Sequence, residues 1–242
     1  MQAPALDGAS MLKSAGEERR PFRVGGSSLV ISGALFLLKA ALDSVVGPPP
    51  STGEQILAWM ASGRIALAFI NEATFIAALL LIPGMLAVHA SLASTKSSAP
   101  AVGAGLFAMA LPIVLFAAII QGRLVYDLFG IHIGEPASAK LIIAVYYGGL
   151  HAAGIILAVA TLVLSLAMRD GAYGRKIANL GFATSAFDLI GSYPWVVGAP
   201  LVAASQVLFA SWLIAVGAKL YTLEPATKTT ALDQGIPQPP KP

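Results

Sequence analysis

Long apolar runs set the pattern of this chain. After a mixed polar stretch over residues 1–26, apolar residues fill windows at about 27–46, 66–92, 100–122, 139–168, 177–197 and 199–220. Each window reaches the ~20 residues that cross ~30 Å of hydrocarbon at 1.5 Å per residue. The runs are continuous and rich in Ala and Leu, without the period-two alternation of a membrane strand. The pattern therefore predicts an all-α, polytopic integral membrane protein with six transmembrane helices. The domain reading is a polar tail over 1–26, a membrane domain over 27–220, and a Pro-rich, disordered tail over 221–242.

The second run is too long for one crossing. Residues 55–93 hold one helical pattern, which as a straight helix would measure roughly 58 Å, about twice the hydrocarbon thickness. The expectation is a bend near Gly63 and Arg64, with residues 54–65 lying along the external interface. Ile56, Leu57, Trp59 and Met60 would then face lipid, and Arg64 would be an interfacial charge. Pro112 and the Pro83-Gly84 pair are expected to kink their helices.

Composition agrees with the pattern. Hydrophobic residues make up 57% of the 242 and charged residues 11%, far below the roughly one quarter of a soluble domain. There are no cysteines, which excludes disulfides, thiol nucleophiles and Cys-based metal sites. The first 26 residues lack the apolar core and cleavage site of a signal peptide. A net charge of +3 gives no reason to expect nucleic acid as a partner. Eleven Lys and Arg fall on the side of both termini, three (Arg64, Arg123, Lys140) on the other, and Lys39 within a span. The positive-inside bias places both termini in the cytoplasm and the protein in the cell membrane.

Ionisable residues at membrane depth are the candidate chemistry, because each costs several kcal/mol unless it is paired. Lys39, Asp43, Glu72, His151 and Asp188 form the candidate ligand or proton site, with Arg123, Tyr146 and Tyr147 as secondary members. Lys39 and Asp43 are four residues apart and can touch on one helix face. Lys39 and Glu72 fall at similar depths, ~10 and ~9 Å below the external end of their spans, which makes them a candidate interhelical pair. Arg123 and Asp127 repeat the four-residue spacing and are expected as a rim pair. Asp188 and His151 fall near mid-depth and are expected to approach each other, directly or through water. Tyr193, Pro194 and Trp195 read as an interfacial belt and turn. The small residues Gly148, Gly149, Ala152, Ala153 and Gly154 allow either close helix contact or room for a ligand.

Catalytic signatures are missing: there is no HExxH, GxSxG or Walker A motif. His89 and His151 are offset in depth by ~15 Å, so no bis-His haem is expected. No cofactor and no metal site is expected.

The order of parts, together with HAAGIILAVATLVLSLAM followed by GRKIANLGFATSAFDLIGS, resembles a group of bacterial membrane proteins catalogued as a domain of unknown function (the DUF-four-three-eight-six group). The likeness spans about residues 27–220 and places His151, Gly154, Arg175, Gly181 and Gly191 where that group tends to have similar residues. It implies the six-span architecture with an external amphipathic piece after the first span; the group has no settled activity to lend.

Three functions compete on the sequence. The leading one is a non-enzymatic membrane protein with an outward-facing polar cavity for a small molecule, lipid or proton, in contact with membrane lipids. The second is an accessory subunit fastened by these charges to partner subunits. The third is a membrane enzyme acting on lipid, with Asp188, His151 or Glu72 as acid–base.

Overall fold

A computed structural model describes residues 8–93, 95 and 97–223, with side chains from Arg20 onward. The expected tail beyond residue 223 and the first seven residues lie outside the described residues. Seven helices follow in order: α1 (Gly8–Val46), α2 (Gly53–Ser91), α3 (Ala99–Val125), α4 (Pro136–Met168), α5 (Gly174–Gly191), α6 (Pro194–Val197) and α7 (Ala199–Thr222). No strand occurs among the described residues. Helix starts carry their expected chemistry. Thr52 caps α2 by accepting from the Gln55 N–H, and a proline occupies the first turn of α3, α4, α6 and α7, where its missing N–H costs nothing.

Five of these helices are long and apolar enough to cross a membrane: Arg20–Val46 within α1, then α2, α3, α4 and α7. Large apolar side chains point outward along them, among them Ile65, Phe69, Leu86, Phe116, Leu141 and Leu166. An outer surface of this kind needs lipid as its solvent. The chain is a multi-pass helical membrane protein. α5 falls short of that apolar standard because Arg175, Lys176 and Asp188 share its 18 residues.

The helices form a closed ring. Neighbours run α1–α2–α3–α4–α5–α7, and α7 returns to α1. Pairing is antiparallel around the ring: Ser32 on α1 donates to the Ala77 carbonyl on α2, Ser185 on α5 to Ala158 on α4, and Thr184 on α5 to Leu208 on α7. These bonds join a small polar side chain to a neighbour's backbone, a way of fastening helices without a buried charge. The first and last helices close through glycine. A side-chain carbon at Gly217 would fall 2.6 Å from the Gly26 carbonyl oxygen, and one at Gly26 would fall 2.7 Å from the Gly217 carbonyl oxygen.

Two apolar clusters fill the ring. The larger contains Leu29, Leu81, Leu111, Leu164 and Leu213, with a stack of Phe107, Phe209 and Trp212. Phe107 lies 6.2 Å from Trp212 and 6.5 Å from Phe209 between ring centres, and Phe36 meets Phe209 edge-on at 5.6 Å. The smaller cluster joins the start of α2 to the end of α3 and the start of α4 through Ile56, Met60, Leu67, Ile70, Val125, Ala139 and Ile143.

That smaller cluster corrects two expectations. α2 runs unbroken through Gly63 and Arg64, so residues 54–65 are its first turns rather than a separate helix. Ile56 and Met60 do not face lipid; both are buried, because Ala139 and Ile143 of α4 and Val125 of α3 cover them. α1 also begins earlier than the first apolar window, at Gly8, and Pro21 lies within it.

Gly217→Leu should lower the melting temperature in detergent, since forcing a side chain into this contact costs ~1–3 kcal/mol or more. A side-chain carbon added at Gly148 would meet nothing within 4 Å, so Gly148→Leu should leave the melting temperature nearly unchanged. Equal losses for the two variants would show that the α1–α7 contact is not specially tight.

Candidate functional site

At the end of the ring opposite the described chain ends lies a cavity of about 510 Å³. Its rim includes Gly47, Pro48 and Pro49 after α1, and Pro194, Trp195 and Ala199 around α6. It exists there because α5 stops at Gly191, level with His151 of α4 and Ser205 of α7, and the short α6 completes the wall. The floor is apolar, made of Phe36, Leu81, Leu111, Leu157 and Phe209.

Polar groups line the upper wall. Lys39 donates to Asp43 Oδ2 at 2.5 Å, one helical turn away. Gln206 of α7 donates its amide to the same oxygen at 3.1 Å. Asp43 thus gathers an ammonium from its own helix and an amide from the helix across the glycine contact. Lys39 is only 7% exposed, a burial a cation tolerates only with such a partner. Asp188 is 8% exposed and accepts from the Ser205 hydroxyl at 2.6 Å.

His151 Nδ1 lies 2.8 Å from the Ser192 carbonyl oxygen. A carbonyl only accepts, so Nδ1 carries the hydrogen, and Nε2 of the uncharged ring is left as an acceptor. The imidazole packs against Tyr193 at 4.6 Å and Trp195 at 5.2 Å between ring centres. Tyr146 and Tyr147 meet edge-on at 5.0 Å on the same wall. Two amide oxygens beside the cavity, Gln121 Oε1 and Gln206 Oε1, are buried without a hydrogen-bond partner among the described residues.

Of the residues singled out in the sequence, the structure brings Lys39, Asp43, Tyr146, Tyr147, His151 and Asp188 to this one cavity. It does not bring Glu72 or Arg123 there. Glu72 points to the outside of α2, where it accepts from the Tyr126 hydroxyl at 2.7 Å. It shares a shallow groove of about 310 Å³ with Arg64, Phe69 and Tyr126. Burial first, and then the hydrogen bond to Glu72, push the Tyr126 phenol up, so the phenol keeps the proton it donates. The expected Lys39–Glu72 pair is therefore replaced by two separate pairs. The expected Arg123–Asp127 pair is replaced as well. Arg64 takes Asp127 at 2.9 Å and donates to the Val125 carbonyl at 3.0 Å, while Arg123 Nη1 is buried without a partner among the described residues. The chain turns away from the α3 axis at Tyr126, which carries Asp127 off the helical face that Arg123 occupies. Asp188 and His151 make no hydrogen bond to each other and meet only as walls of the cavity.

Gln121, Ser192, Ser205 and Gln206 belong to the site and were not singled out by a search for charges. Their signal was present: a neutral amide or hydroxyl inside an apolar window also has to find a partner. Gly154 lines the cavity against Ser192, whereas Gly149 packs on Ala117 of α3. Among the described residues, no group of three or more His, Asp or Glu could hold a metal ion. Comparison with family models, with curated proteins and with solved structures finds no match.

Removing one member of the Lys39–Asp43 pair leaves a buried charge, at a cost of ~3–5 kcal/mol. Asp43→Leu alone should therefore lower the melting temperature sharply, and Lys39→Met with Asp43→Leu should recover much of the loss. Lys39→Met combined with Glu72→Leu should simply add. Coupling in the second cycle rather than the first would contradict the observed pairing.

Proposed function

We propose that this is a six-span membrane protein that binds a small amphipathic molecule in the cavity enclosed by the ring of helices. The observation that carries this reading is the cavity wall itself, which gathers Lys39, Asp43, His151 and Asp188 above an apolar floor. Its volume falls within the ~300–1,000 Å³ of small-molecule sites. A polar upper wall over an apolar floor suits a ligand with a polar head and an apolar body, drawn from the surrounding lipid or from the external water.

The sixth crossing rests on connectivity. α4 ends and α7 begins at opposite ends of the ring, so α5 carries the chain between them. The eleven-to-three distribution of Lys and Arg supports cytoplasmic termini and an external cavity mouth. On this reading the first turns of α2 lie at the external interface. The Arg64–Asp127 pair, about half exposed on each side, would then lie at the membrane surface. Six crossings are also what the likeness to the domain-of-unknown-function group implies, whereas the external piece it implies is here continuous with α2.

The binding reading is tested with protein taken from its native membrane into detergent-free lipid particles and extracted for mass spectrometry. A small molecule should co-purify, and Ala203→Trp, which fills the cavity from α7, should release it while the protein keeps its melting temperature. Identical small-molecule content in both proteins would overturn the proposal. Orientation has its own test. Cysteine at Ser51 or Ser138 should react with an impermeant label in intact cells, and cysteine at Ser97 or Gly171 should not.

A further inference from the structure

The cavity wall has a surplus of carboxylates over cations. Asp43 is served by Lys39 and Gln206, which uses the one ammonium on the wall. Asp188 has only the Ser205 hydroxyl, and it forms no ion pair among the described residues. A carboxylate has room for about four donors, so Asp188 is under-served. His151 Nε2 adds a further acceptor. Formal charge points the same way: of the lining groups, two carboxylates face one ammonium.

From these observations we infer that the occupant is an amphipathic primary amine bound as its ammonium ion. This rests on the proposed reading of the cavity as a binding site. An ammonium brings three N–H donors and one positive charge, which are what the wall lacks. The aromatic faces of Tyr146, Tyr147 and Trp195 favour a cation over an anion, and the floor of Phe36, Leu157 and Phe209 takes the apolar body. An anion would instead meet Asp188 without a free cation to receive it.

The test uses the full chain in nanodiscs of zwitterionic phosphatidylcholine, with empty nanodiscs as the blank for partitioning. Three ligands of one shape are titrated by calorimetry: 4-phenylbutylamine, 4-phenylbutanol and 4-phenylbutyrate. The amine should bind at least about tenfold tighter than the alcohol, and the butyrate weakest. Asp188→Asn should bring the amine down to the level of the alcohol and leave the alcohol unchanged. The ranking on the unaltered protein decides the matter even where that variant does not fold. Equal affinity for amine and alcohol would mean that Asp188 carries a proton and is not a cation receptor. That result, or a preference for the butyrate, overturns the amine while the cavity reading stands, provided binding is abolished by Ala203→Trp. Absence of binding by all three, or binding indifferent to Ala203→Trp, overturns both.

Discussion

The contact between α1 and α7 decides whether this chain has an interior. The two helices are the first and last of the ring, and neither is joined to the other by a short loop. They approach closely because Gly26 and Gly217 each present bare backbone to the other's carbonyl, leaving dispersion and weak C–H···O contacts to hold them. The Asp43–Gln206 bond lies farther along the same pair of helices. A wider spacing there would separate the carboxylate on α1 from the amide on α7. Lys39 would then share its pocket with lipid instead of with a second donor. The charge on α1 is thus tolerated because of a packing feature farther down the same two helices.

Within that ring the polar and apolar parts are sorted by height. The stacked rings of Phe107, Phe209 and Trp212 occupy the centre, and the charged groups stand above them towards the short end of α5. Each polar element is anchored by a different device: a same-helix ion pair for Lys39, a cross-helix hydroxyl for Asp188, and a backbone carbonyl for His151. These devices hold the side chains in place without saturating them, and Asp188 is left with a single donor on the cavity wall.

Most of the architecture was legible because lipid imposes a simple rule on sequence: a crossing must be long, apolar and helical. Five helices follow that rule closely. α5 does not, since Arg175, Lys176 and Asp188 dilute its apolar content, and its place in the ring follows from the helices it connects. Pairings were legible where helical spacing alone sets them, as for Lys39 and Asp43. They were not legible where the chain leaves a helix. Asp127 has the spacing of an Arg123 partner, yet the backbone turns at Tyr126 and delivers it to Arg64. Glu72 has the depth of a Lys39 partner but the wrong helical face, and depth says nothing about rotation about the axis. Gln121 and Gln206 escaped notice because uncharged amides look unremarkable among apolar neighbours until their surroundings are known.

The aromatic stack beneath the cavity has a consequence for traffic. Phe107 and Trp212 are fully buried, and together with Phe209 they stack directly below the cavity floor. A path straight down from the cavity floor would require these rings to part by side-chain rotation or by sliding of α3 against α7, on the slow timescale of collective helix motions.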